Sequence, residues 1–538
     1  MIDHAVILLL LPSSILLFGA GLLAVVPVDK LPVLHQRRPW VVAALLGATL
    51  ILLAVNPNRS SGEWQLTPGT LLGSLTPSLA IRANGAGRWL GLALVLTSLS
   101  AVLGGIGRKS IPDSAGQSGD AADWSILLVL AAVCLLCLLP SNLYTLALIW
   151  TALDGVTGAA WLLTTRRQQG PLIHWGAGAA GTLALWCAAL SMQAGLTSQS
   201  LPIPTVEPGW TGTALVLAGT LRLAPFPFHL GRPHLATDLF RNPALKTALQ
   251  ILPLSSGAWL LAQVPGTDFV PFFPQQFITT LLLTGLVGSG LLAWLPGEEI
   301  RAVRWVVRGQ AAMTVLACIW AGPEAALAQG MVLVLAGGLI LVSADSQETP
   351  PEQKVLAGMA IAALAGIPLT WGGIGRFALY QRWLASPWGL YLFLAAGAWL
   401  LLLGAAGRPL FRTSSPGVAR QTRIVAGLTN ALLVVGLLAA PGAAASAWAW
   451  LAIILPLAAG GILAKEARSL QPLQQQLENR LHPVLALHWL RRAAGRLAAA
   501  IGRAANAVHQ TLEGEGAVLW LLVLLALAWL LLGSTSPG

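Results

Sequence analysis

Charge is what this sequence has least of: Asp, Glu, Lys and Arg together make up 9% of its 538 residues, and only five residues are lysine. A water-soluble globular chain carries roughly a quarter of its residues charged, so that class is excluded. Cysteine is nearly absent as well. The four present, Cys134, Cys137, Cys187 and Cys318, all fall inside apolar runs. That excludes a disulfide framework and leaves the Cys134/Cys137 pair as lipid-facing or packing sulfur. No cluster of cysteine and histidine offers ligands to an iron–sulfur centre or another metal, and no Gly-rich loop follows a strand pattern to hold a nucleotide. The expectation is a chain with no cofactor of its own.

What is abundant is apolar length. Hydrophobic residues make up 56% of the chain and the mean hydropathy is +0.74. A helix needs about 20 apolar residues to cross a hydrocarbon core of about 30 Å, and such runs recur from end to end. The fold class that follows is an all-α polytopic membrane protein. Runs ending in Pro, Gly or charge place about sixteen helices, at 5–25, 40–55, 87–105, 123–139, 142–164, 171–194, 211–225, 244–264, 276–295, 303–321, 323–344, 354–376, 387–407, 421–440, 444–465 and 516–533. The first run, Ala5 to Val26, lacks a basic leader region and is followed by many more spans, so it reads as a transmembrane helix and not a secretory signal.

The net charge of +11 does not point to nucleic acid, because the basic residues sit in inter-helix loops and one C-terminal segment and form no soluble basic domain. They read as topology signals. Loops after odd-numbered helices hold most of them, among them Lys30, Arg37, Arg38, Arg108, Lys109, Arg166 and Arg167, whereas loops after even-numbered helices hold little beyond Arg59, Arg82 and Arg382. By the positive-inside rule the odd loops are cytoplasmic and both termini face outward. Three regions follow: a transmembrane bundle over 1–465, an amphipathic segment over 466–515 and a closing anchor helix in 516–538. In the middle region Leu490, Leu497, Ile501, Val508 and Leu512 share one helical face, while Arg491, Arg492, Arg496 and Arg503 lie off it. Such a helix lies at the lipid boundary or runs along partner subunits.

Ionisable groups inside spans cost several kcal/mol unless paired or hydrated, so they mark function. Asp154 is the clearest, mid-span with no basic residue within a turn; it is either a proton-binding or charge-pairing group, or a protonated acid bonded to a neighbouring helix. A second place is Arg222-Leu-Ala-Pro225-Phe-Pro227-Phe-His229. Two prolines two apart remove backbone donors and must break the helix, which a membrane tolerates only where protein or a water-filled cavity takes up the freed carbonyls. The third is Gly366-Ile-Pro368 through Gly372, Gly373 and Gly375 to Arg376, a second interrupted helix with an arginine at its end. Paired interrupted helices in two halves of a bundle point to a transport pathway. Lys246 and, one turn on, Gln250 stand between the two breaks, Lys246 as a relay group or a snorkelling side chain.

These motifs resemble those of the antiporter-like subunits of respiratory complex I. In that family a buried lysine precedes an Ala-x-Phe-Pro-Phe-His element on the broken seventh helix; here Arg222 holds the lysine position ahead of Pro225, Pro227 and His229. Glu299 through Gln310 resembles the family's Asp-Ile-Lys loop and helix start, and Gly366-Ile-Pro368 through Arg376 resembles the element of its broken twelfth helix. The closing layout, with a long amphipathic segment before the last span, is similar to the largest of these subunits and its lateral helix. The resemblance implies a membrane-arm subunit of an NADH:quinone oxidoreductase in a bacterial inner membrane, with proton translocation here and electron transfer in partner subunits. Other membrane-arm subunits along 466–515, lipid and protons are the implied partners. A multi-subunit cation/proton antiporter, a membrane hydrogenase, an inorganic-carbon uptake complex and a non-pumping scaffold share the fold and stay open.

The departures bear on mechanism. Thr151 follows Trp150 where the family has a glutamate, and Asp154 stands about one turn later; the eighth-helix histidine or lysine position falls near Leu249 or Gln250; no lysine stands in 325–344. Both broken-helix lysines are arginine, and a guanidinium keeps its proton at any biological pH. Arg222 and Arg376 are therefore read as fixed charges acting on water or on Asp154, not as relays.

Overall fold

The computed structural model describes residues 4–25, 37–54, 63–66, 79–82, 84–104, 118–164, 169–194, 210–228, 242–264, 271–295, 299–344, 351–368, 370–411, 447–467 and 469–485, with isolated positions between 492 and 503. The apolar runs of the sequence become helices in the expected order: α1 (His4–Val25), α2 (Arg37–Ala54), α3 (Gly85–Gly104), α4 (Ser118–Leu136), α5 (Leu143–Thr164), α6 (Gln169–Ala194), α7 (Trp210–Leu223), α8 (Pro243–Leu261), α9 (Phe272–Trp294), α10 (Glu299–Ala321), α11 (Pro323–Ala344), α12 (Pro351–Ala365), α13 (Trp371–Leu384), α14 (Leu390–Gly407), α15 (Ala447–Lys465) and the polar α16 (Gln471–Leu485). The expected spans at 421–440 and 516–533, and the apolar face of 490–512, lie outside the described residues.

Six described helices are at least 18 residues long and apolar enough to cross a membrane. Their burial sorts them. In α11, 94% of the most apolar window is buried, and in α10 89%, whereas in α5 the figure is 39%. A helix apolar all round and buried all round is the centre of a bundle, and here α11 packs on α3, α8, α10, α12 and α13. Large apolar side chains such as Phe18, Leu50, Leu163, Trp210 and Phe393 point outward, the surface a bilayer solvates and water does not.

One element is additional to the helices. A two-stranded antiparallel hairpin, β1 (Glu63–Leu66) and β2 (Leu79–Arg82), pairs Glu63 with Arg82 and Leu66 with Leu79. It closes on the turn between α4 and α5: Arg82 N donates to Leu139 O at 2.8 Å, and Ala80 N to Thr145 Oγ1 at 2.9 Å. The hairpin thus pins the start of α5, the helix that bears Asp154.

Two helices break where proline and glycine foretold. α7 ends at Leu223, and Ala224 takes a left-handed conformation at φ 46° before Pro225, the usual way of stopping a helix but in a residue that resists it. The turn lies on the small face of α9, where a Cβ on Gly285 would stand 2.0 Å from Phe226 O. The run at 354–376 is interrupted as expected, into two half-helices. α12 stops at Ala365, Gly366 turns at φ 85°, and α13 starts after Thr370, whose Oγ1 caps Gly373 N at 3.3 Å. Arg376 is therefore not the end of that element but stands in the second turn of its second half, and α13 continues to Leu384.

Met1–Leu485 form one compact unit and Ala486–Gly538 a second.

Candidate functional site: a buried acid–guanidinium pair at the first helix break

Three successive helices each supply one polar group to a single interior point. Asp154 comes from the middle of α5, Thr182 from α6 and Arg222 from the last turn of α7. Arg222 Nη1 donates to Asp154 Oδ1 in an ion pair whose side chains are 3% and 7% exposed. Thr182 Oγ1 donates to the other oxygen, Oδ2, at 2.5 Å, and Arg222 Nη2 reaches Trp150 O and Thr182 Oγ1, each at 3.4 Å. The Trp150 ring forms the floor, with Arg222 Cζ 4.3 Å from its centroid. A charge pair taken out of water persists only when its remaining donors and acceptors are met in this way.

Glycine makes the approach possible. A Cβ on Gly178 of α6 would stand 2.7 Å from Asp154 Oδ1, and one on Gly257 of α8 would stand 3.1 Å from the Arg222 stem. Small residues at helix contacts are how membrane bundles bring backbones close enough for polar groups to meet. One turn explains the shifted acid: Thr151, directly after Trp150, faces outward and accepts from Trp186 Nε1 at 3.2 Å, whereas Asp154 faces inward.

The other candidates are placed separately. Lys246 lies in the first turn of α8 and is 4% exposed, so it does not snorkel out of the bundle. Gln250 is half-buried one turn on, with Nε2 meeting no acceptor among the described residues. Arg376 is 1% exposed, packed over the Trp399 ring of α14, and no hydrogen bond joins it or Gln250 to the Asp154 pair. His229 lies outside the described residues. Cys134 and Cys137 are buried and free, which settles them as interior and not lipid-facing; Cys187 is the exposed one. Among the described residues no three His, Cys, Asp or Glu side chains are grouped to hold a metal ion.

Sequence reasoning missed two partners. Thr182 is foreshadowed only by the small-residue run from Gly176 to Gly181. Gln329, fully buried on α11 in the stretch that lacks a lysine, accepts from Gln310 Nε2 at 2.7 Å and donates through its own Nε2 to Gly372 O at 3.2 Å, so an amide ladder ties α10 and α11 to the start of α13.

Fold and site together define a polytopic helical membrane protein with two broken helices and a buried ion pair at the first break. No protein-family model matches the sequence, and no curated protein matches it. Solved structures do match in fold. A chain of the Mrp complex from Dietzia sp. DQ12-45-1b superposes with a TM-score of 0.69 at 17% identity, over 98% of this chain and 63% of that one. This chain thus spans less than two thirds of that relative. A chain of the membrane-bound sulfane sulfur reductase, an archaeal respiratory membrane complex, gives 0.65 at 16% identity over 98% and 100%, and one of respiratory complex I from Thermus thermophilus gives 0.63 at 14% over 86% and 99%. The chain shares its fold with membrane chains of these three complexes.

Proposed function

We propose that this chain is a membrane-arm subunit of a complex I-like NADH:quinone oxidoreductase and takes part in proton translocation driven by electron transfer in partner subunits. The observation that carries the reading is the Asp154–Arg222 pair, buried at the break of α7 in a fold shared with such assemblies. Asp154 is the member that exchanges a proton. With the pair closed, the guanidinium neutralises the carboxylate. If Arg222 moves away from Asp154 Oδ1, the carboxylate loses its counter-charge in a low-dielectric setting, and proton uptake restores neutrality. Reclosure expels the proton. Arg222 moves charge and never a proton, because guanidinium does not titrate in proteins.

In this reading the chain lies in a bacterial inner membrane with odd loops cytoplasmic and both termini outside, as loop charge supports, and the segment 466–515 runs along neighbouring subunits. The test is proton uptake by the purified complex in proteoliposomes, driven by NADH and quinone. Asp154→Asn and Arg222→Ala are each expected to reduce uptake to the leak of empty vesicles; unchanged uptake in both defeats the pathway and leaves a scaffold of the same fold. Co-purification decides the assembly: hydrophilic NADH- and quinone-site subunits support the proposal, and their replacement by antiporter subunits alone overturns it in favour of an Mrp-type complex.

A further inference from the structure

The second break poses a charge problem that the first one solves internally. Arg376 is 1% exposed, and its stem lies against Gly366, where a Cβ would stand 2.5 Å from Arg376 Cδ, so the guanidinium sits in the gap between α12 and α13. Trp399 lies under it, Cζ to ring centroid 3.8 Å, and Nη1 contacts Tyr380 Oη at 3.5 Å. Nε and Nη2 meet no acceptor among the described residues, and neither do the indole N–H groups of Trp399 and of Trp383, which stacks on Tyr380. Nε and Nη2 share one edge of the guanidinium, the fork that grips two oxygens of a carboxylate or a similar anion.

Nothing among the described residues supplies that anion. Among the described residues Arg376 makes no ion pair, and the sequence has no Asp or Glu between Glu352 and Glu466, so α13, α14 and α15 contain none. The unmet groups are all donors. Water accepting from the fork would bring its own protons to the same donor-rich place, whereas an anion brings only acceptors and also cancels the buried charge.

We propose that the Arg376 fork is a binding site for a small monovalent inorganic anion, a halide or a planar oxyanion such as nitrate, held by Nε–H and Nη2–H beside the Trp399 indole in the break between α12 and α13. The site is read from anion binding alone and stands whether or not Asp154 carries protons.

The test uses the intact purified complex, titrated with sodium bromide or sodium nitrate against sodium gluconate at constant ionic strength, with melting temperature as the readout. Wild type is expected to show a saturable rise with bromide and nitrate. Arg376→Lys keeps the charge but loses the fork, and raises the half-saturating concentration about tenfold or more; Arg376→Gln abolishes the saturable response. If Arg376→Gln does not assemble, Arg376→Lys alone decides. Crystals grown in bromide should show anomalous density within hydrogen-bond reach of Nε and Nη2. Titrations identical in all variants, anomalous density elsewhere only, or a partner-subunit carboxylate seated on the fork would each overturn the proposal.

Discussion

Arginine in place of lysine at both breaks changes what each site can do, and the two arginines are resolved differently. Arg222 has a carboxylate, a threonine and an aromatic floor; Arg376 has an aromatic floor and a phenol and, among the described residues, no acid. Removing one member of a buried pair strands the other, which costs about 3–5 kcal/mol, while replacing both with apolar groups is often neutral. Asp154→Leu and Arg222→Met are therefore each expected to lower unfolding stability by about that amount, and the double variant to recover most of it while still failing to move protons. A double variant as unstable as the sum of the singles would show that the two residues act independently. Thr182→Val is expected to cost about 1–3 kcal/mol, since it leaves Asp154 Oδ2 one donor short. Asp154 and Arg222 were both legible in the sequence as charges out of place, and the family resemblance had Arg222 acting on Asp154, but spacing alone did not give their contact. They are 68 residues apart, and neither a helical repeat nor a motif spacing encodes how α5 and α7, each packed on α6, bring them together. Thr182 was illegible for another reason: a threonine in an apolar helix ordinarily bonds its own backbone.

At the scale of the element, the two breaks meet the same geometric demand with different residues. Each requires a residue with positive φ: Ala224 supplies it at 46° and Gly366 at 85°. A left-handed conformation costs an L-residue about 1–2 kcal/mol and glycine almost nothing. Ala224→Gly is accordingly expected to stabilise the complex by about 1 kcal/mol, and Gly366→Ala to destabilise it by more than the backbone cost, because its Cβ would also displace the Arg376 stem. Thermal melts of the two variants should shift in opposite directions; shifts of the same sign would mean that the breaks are not held by backbone geometry. Proline and glycine announced both interruptions in the sequence, so the breaks were readable from composition alone, whereas the ion pair was readable only through the family resemblance. The point that escaped was the continuation of the second half-helix to Leu384. Arg376 looked like an end because a charge after a glycine cluster ordinarily closes a span, and its burial comes from Trp399 and Tyr380, which only the fold brings to it. The hairpin β1–β2 escaped for a related reason. Four-residue strands between long apolar helices carry too little periodicity to register, and their pairing is completed by the turn before α5.

Met1–Leu485 is a bundle wrapped on α10 and α11, and among its described residues a charge pair, an amide ladder and Arg376 lie inside while large apolar side chains cover the outer surface. The order and apolar character of its described helices were readable because a bilayer imposes one length and one polarity on every helix, a constraint far stronger than any that acts on a soluble chain. The region beyond Leu485 forms its own compact unit, and in sequence it combines an apolar stripe with Arg491, Arg492, Arg496 and Arg503 off that stripe. A segment of this composition is suited to meeting lipid or partner subunits, so its alteration should be felt in assembly. Charge reversal of the four arginines to glutamate is expected to leave the chain inserted, with the melting temperature of the isolated subunit within about 2 °C of wild type, but to deplete neighbouring subunits from the purified complex. If anionic lipid and not protein is what these arginines meet, the same variant will keep its partners and instead lose retention on vesicles containing phosphatidylserine, since each surface arginine is worth about 1 kcal/mol there. Measuring subunit stoichiometry and vesicle retention on the same preparation separates the two, and retention of both would remove the lateral segment from the account of how this subunit is held in its complex.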